Sequence, residues 1–186
     1  MHPTIKVSAF PVQQKRRVHF FTLDFFTTSA NFGIHSDVHC HGYTAWDPVE
    51  QAVIISIEGT DGQLQMTDEI LSFFRHKVAF FDNGFLFKYF HDAFFYLWNG
   101  GLEQQVRTLK YQYPQFKIYV TGHSLGASIA SIAASYLVKW NMWTAENVRL
   151  VTFGQPRTGD YDFATWHDAT VSCYTQELEN GRVQCF

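Results

Sequence analysis

A chain of 186 residues with 46% hydrophobic and 17% charged side chains has enough apolar content to bury a core and too little charge to stay disordered. Its formal net charge of −3 provides no basic field for a nucleic-acid backbone, so no nucleic-acid partner is expected. No apolar run approaches the ~20 residues of a membrane-crossing helix, so no transmembrane segment is expected either.

The opening MHPTIKVSAFPVQQKRR lacks the apolar block of a secretory signal, and Lys15-Arg16-Arg17 reads as a solvated turn. Residues 1 to 45 show no sustained period and read as an irregular segment. His35, His39, Cys40 and His41 lie close together, but their spacing matches no common zinc pattern and nothing downstream completes four ligands. No metal or other cofactor is expected. Three cysteines, Cys40, Cys173 and Cys185, cannot all pair within one chain. The 19 phenylalanines point to aromatic core packing.

Ala52-Val53-Ile54-Ile55-Ser56-Ile57 is apolar and β-branched, which predicts a strand buried on both faces. It ends at Glu58-Gly59-Thr60-Asp61-Gly62, a run of turn residues. Met66, Ile70, Phe73 and Phe74 then fall on one face of an amphipathic helix over residues 64–74. Val78 to Phe81 reads as a short strand. From Gly84 to Tyr113 the period is helical, with a kink expected at Gly100-Gly101 and a stop at Tyr113-Pro114.

Phe116 to Thr121 predicts the next strand. Leu125, Ile129, Ile132, Tyr136 and Trp140 define a helix directly after it, with small residues on its near side. Val148 to Phe153 is a further strand, and residues 159 to 168 form a short helix. Strands alternating with helices predict an α/β sheet protein whose functional groups gather at the carboxyl ends of the strands. One domain over residues 46–171 is the economical organisation, followed by a divergent tail at 172–186.

Between the strand at Phe116 and its helix stands Gly122-His123-Ser124-Leu125-Gly126, a G-x-S-x-G motif in the strand–turn–helix setting that gives it meaning. The glycines flank the serine where side chains would clash. The turn projects the Ser124 hydroxyl outward and aims the Leu125 amide at a developing oxyanion. His123 reads as a packing residue beneath the turn, because neighbouring side chains point apart.

TGHSLGA at 121–127 and VTFGQPRTG at 151–159 resemble the fungal-type class 3 lipases, in their animal branch. The resemblance also takes in Gly42-Tyr43-Thr44-Ala45, the Ile57-Glu58-Gly59-Thr60 strand end and Tyr89-Phe90-His91-Asp92-Ala93-Phe94, and spans about residues 40 to 171. It implies an α/β-hydrolase fold with a central, mostly parallel sheet, and hydrolysis of carboxylic esters, typically acylglycerols. Ser124 matches the nucleophile, and Thr60 and Leu125 match the oxyanion donors. The helix at 64–74 matches a lid that meets a lipid interface. Many members have arginine where this chain has Glu58. The family is typically secreted.

The resemblance places the acid and then the histidine later in the chain. Here the tail from Ser172, SCYTQELENGRVQCF, contains neither Asp nor His. His167 is the only histidine after Ser124 and reads as a surface or capping residue. Asp160 and Asp162 precede it, but at separations of seven and five residues they do not share its helix face. No acid or base is identified. The late strands and helices of the fold are expected to be missing, and a catalytically inactive lipid- or protein-binding product is the alternative.

Overall fold

The computed structural model describes residues 19–21, 40–59 and 76–171. The Lys15–Arg17 run, His35, His39, Thr60, the helix expected at 64–74 and the tail with Cys173 and Cys185 lie outside the described residues.

The described chain begins with strands β1 (His19–Phe21), β2 (Gly42–Asp47) and β3 (Ala52–Ile57). A hairpin of β4 (Lys77–Ala79) and β5 (Phe85–Phe87) leads into helix α1 (Lys88–Leu97). Helix α2 (Glu103–Gln112), strand β6 (Lys117–His123), helix α3 (Leu125–Lys139), strand β7 (Val148–Phe153) and helix α4 (Tyr161–Thr170) complete it. The main sheet has the order β1-β2-β3-β6-β7. β3, β6 and β7 pair in parallel, whereas β2 runs antiparallel to both β1 and β3, so β2 alone opposes the common direction. β1 and most of β2 fall within the stretch that reads as irregular. GYTAWD carries no clean alternation, and its pairing with β3 supplies the order that its own sequence does not signal.

Residues 52–57 form a strand with the expected bounds, but its burial is one-sided. Val53, Ile55 and Ile57 are buried, while Ile54 and Ser56 are half-buried. The same alternation continues across the register: Ile118 and Val120 of β6, and Val148 and Leu150 of β7, join the buried face. Helix α3 lies across β3, β6 and β7 on that face, and α1 packs on α3. α3 is nearly all small or aliphatic on its inner side: Ala127, Ser128, Ala130, Ser131, Ala133 and Ala134 are fully buried. Small side chains let the helix axis approach the sheet closely, which increases dispersion contact per residue.

The phenylalanine-rich helix serves the core. Phe90 and Phe94 of α1 are fully buried, and Phe94 packs against Trp98 and Tyr136 with ring centroids 5.6 and 5.2 Å away. Such pairs add about 0.5–1.5 kcal/mol beyond area burial. The kink expected at Gly100-Gly101 takes the form of a π-helical segment, Trp98–Leu102, in which Gly101 has φ 134°. That backbone angle suits glycine alone. The offset lets Trp98 and Leu102 both stay buried on either side of the kink.

α4 is fastened at both ends of its inner face. Asp160 caps it, accepting from the Phe163 amide at 3.0 Å, and also accepts from the Phe85 amide at 3.1 Å. Burial opposes ionisation of Asp160, but those amides outweigh it and hold the carboxyl below its usual range. His167 departs from its sequence reading. It is buried, at 4% exposure, against Phe163, and its Nδ1 lies 2.8 Å from Ser135 Oγ on α3. A residue that reads as surface is drawn in because the i, i+4 spacing puts it on the same face as Phe163.

Burial pushes the His167 pKa down to about 4 from an ordinary 6.5. The folded form therefore holds the neutral ring, and the unfolded chain binds the extra proton. Stability from this group is complete above about pH 6.5 and is lost as pH falls toward 4. Urea unfolding at pH 7 and pH 4.5 is expected to show about 2 kcal/mol more loss in the natural chain than in His167→Asn. Equal losses in the two proteins would exclude His167 as the source.

Candidate active site

β6 ends and α3 begins within a single residue, Ser124. The serine has φ 53° and ψ −123°, a conformation that non-glycine residues rarely hold and that costs of order 1–3 kcal/mol. Close packing around the turn maintains it. The Ser124 amide donates to the Phe153 carbonyl at the end of β7, 2.9 Å away, and its own carbonyl accepts from Ala127 at 3.0 Å in the first turn of α3.

Three glycines make the turn possible. A Cβ on Gly122 would run into the carbonyl of Gly126. A Cβ on Gly126 would stand 2.5 Å from the carbonyl oxygens of both Ile57 and Glu58. The third, Gly59, reads only as turn chemistry in the sequence. In the structure a Cβ there would lie 2.6 Å from the His123 carbonyl and 3.6 Å from Ser124 Cβ. The segment that follows β3 therefore packs directly on the turn as far as Gly59. Thr60, the next residue, lies outside the described residues.

Leu125 opens α3 and is buried at 3% exposure. Its amide belongs to the first turn, where no carbonyl of the same helix is available. The positive end of the 15-residue helix lies at the same point and favours negative charge there. His123 does not sit beneath the turn. It is exposed, on the opposite face of β6 from Gly122, and its ring passes Gly154. The alternation of the strand decides this, since Val120 and Gly122 take the helix-covered face.

Glu58 is paired with His41, their Oε2 and Nδ1 atoms 2.8 Å apart. His91 is paired with Asp92 at 2.9 Å, and Asp92 also meets Lys88. His167 is committed to Ser135, eleven residues along α3 from Ser124, about 16 Å at 1.5 Å per residue. The structure therefore brings together Ser124, Leu125 and the Gly59 strand end, and it keeps His167 away from them.

The family model for class 3 lipases matches residues 54–179, more than half of the chain. The chain belongs to the class 3 lipase family. A lipase of Caenorhabditis elegans is 28% identical over 77% of this chain and 40% of its own length. A secreted mono- and diacylglycerol lipase of Fusarium solani is 30% identical over 67% of this chain and 35% of its own. A solved triacylglycerol lipase, whose catalytic centre is formed by a serine protease triad, superposes with a TM-score of 0.67 at 25% identity. That match covers 82% of this chain and 54% of the other. The fold of this class 3 lipase relative is accordingly α/β-hydrolase. The chain spans less than half the length of the curated relatives it matches.

The contacts at the turn make two substitutions informative. Gly126→Ala puts a methyl group into two backbone carbonyls and is expected to cost roughly 2–4 kcal/mol in urea unfolding. Ser124→Gly relieves the strained dihedrals and is expected to stabilise by about 1 kcal/mol after the entropy cost of glycine. A destabilised Ser124→Gly would show that the serine is not strained.

Proposed function

We propose that Ser124 is the nucleophile of a carboxylic ester hydrolase acting on acylglycerol-type esters. The strained backbone of Ser124 at the head of α3, in a chain of the class 3 lipase family, carries this reading. A histidine takes the hydroxyl proton, and Oγ bonds to the ester carbonyl carbon. The resulting oxyanion is met by the amides of Leu125 and Thr60, the latter aided by its hydroxyl. Collapse breaks the ester C–O bond, and the alcohol departs with the proton from the histidine. Water then repeats the sequence on the acyl-enzyme and restores Ser124.

The amphipathic stretch at 64–74 adjoins Thr60 in sequence and would act as the lid, turning its apolar face onto lipid when open. On this reading the base does not come from residues 125–171. The one histidine there is buried and hydrogen-bonded to Ser135. The family resemblance places both base and acid later in a longer chain. On this reading no histidine among the described residues after Ser124 activates it, and a non-catalytic role in binding lipid or protein is the second reading that His167 favours.

Labelling with a fluorophosphonate separates them. A chain extended with the carboxyl-terminal part of the worm relative is expected to be labelled stoichiometrically, and its Ser124→Ala variant not at all. The 186-residue chain is expected to react on the order of 10⁴- to 10⁶-fold more slowly, as enzymes lacking their base do. Rapid Ser124-dependent labelling of the shorter chain would show that it holds its own base. An extended, folded chain that neither labels nor hydrolyses esters would rule out the hydrolase reading.

A further inference from the structure

The end of β3 is held by a pair of residues that the reaction scheme does not use. The antiparallel ladder between β2 and β3 closes at Gly42 opposite Ile57. One step further on, the Glu58 amide donates to the His41 carbonyl at 2.9 Å. The side chains of the same two residues meet at 2.8 Å, Glu58 Oε2 to His41 Nδ1. Two hydrogen bonds, one of backbone and one of side chains, thus join the same residues where the strand gives way to the loop.

What Glu58 touches on its other side makes the pair consequential. The parallel ladder from β3 to β6 ends at Ile57 opposite Gly122, so strand pairing with β6 does not extend to residue 58. The Glu58 carbonyl instead presses on Gly126, and Gly59 presses on the His123 carbonyl and approaches Ser124 Cβ. The segment 58–59 therefore forms one wall of the turn that strains Ser124, and His41 backs that wall.

We propose that His41 and Glu58 are positioning residues for Ser124, a hydrogen-bonded clamp that holds the Glu58–Gly59 segment against the serine turn. The proposal rests on the reading of Ser124 as the nucleophile, because positioning matters only to a residue that reacts. With the clamp intact, the segment stays against Gly126 and His123 and keeps the Ser124 dihedrals strained. With it open, the segment moves away from Gly126 and the turn relaxes.

Amide hydrogen exchange on the 186-residue chain tests this without requiring any reaction at Ser124. The amide of Ser124 is the reporter, because it donates to Phe153 and has no bond to either clamp residue. The amide of Phe87, bonded to Thr158 in the β5 region, is the control. Glu58→Ala and His41→Ala are each expected to speed Ser124 exchange about three- to fivefold, the effect of a part-exposed pair, and leave Phe87 unchanged. The double variant is expected to add nothing further. Glu58→Gln, which keeps an acceptor for the imidazole, should recover most of the protection. Unchanged Ser124 exchange in both single variants would overturn the clamp, as would equal acceleration at Phe87, the mark of general destabilisation.

In the extended chain, Glu58→Ala should slow fluorophosphonate labelling of Ser124 by a similar factor, with Glu58→Gln near the natural rate. Absence of labelling in the natural extended chain would overturn the hydrolase reading alone. The exchange result judges the clamp independently.

Discussion

Backbone-to-backbone contact between the head of α3 and the end of β3 is the constraint on which this structure turns. The carbonyls of Ile57 and Glu58 fill the space where a Gly126 side chain would stand. Such an approach leaves no room for water or for a methyl group, and it fixes helix, turn and neighbouring strand as one unit. The dihedrals of Ser124 follow from it. A residue in that conformation relaxes unless its surroundings over-determine it. Here the Phe153 carbonyl, the first turn of α3 and the Gly59 segment all do so.

The rest of the described chain supports that contact from one side. α3 is buried along its length because small residues bring it down on β3, β6 and β7, and α1 and α4 pack against it in turn. Two of the three buried serines of α3 fasten neighbours. Ser128 donates to the Pro156 carbonyl at 3.1 Å, anchoring the loop after β7, and Ser135 receives His167 from α4. Hydroxyls suit this position because they satisfy a partner without widening the gap between helix and sheet. The same arrangement keeps His167 neutral and structural, about three helical turns from Ser124.

Much of this was legible in the residues. The strands at 52–57 and 148–153 have the bounds that their apolar runs predict. α3 is legible from its period, and the kink, though not its π-helical form, from two adjacent glycines. Local signals suffice there because each element is chosen by its own side chains. β1 and β2 were not legible, since a strand such as GYTAWD gains its order from the neighbour it pairs with. The two histidines were misplaced for a related reason. Whether His123 faces out or His167 faces in depends on which side of strand or helix meets the core, and neither residue is hydrophobic enough to declare it.

The sequence alone determined that a serine stands between a strand and a helix with glycines on both sides, and that only one histidine follows it. These are statements about order along the chain. Only the tertiary structure decided that Gly59, just beyond β3 and 65 residues before Ser124 in the chain, is a third glycine of the same turn. It also decided that Glu58 is backed by His41 and that the following histidine is buried out of reach. These depend on which backbones come within van der Waals contact, and that distance is set by the packing of α3 on the whole sheet.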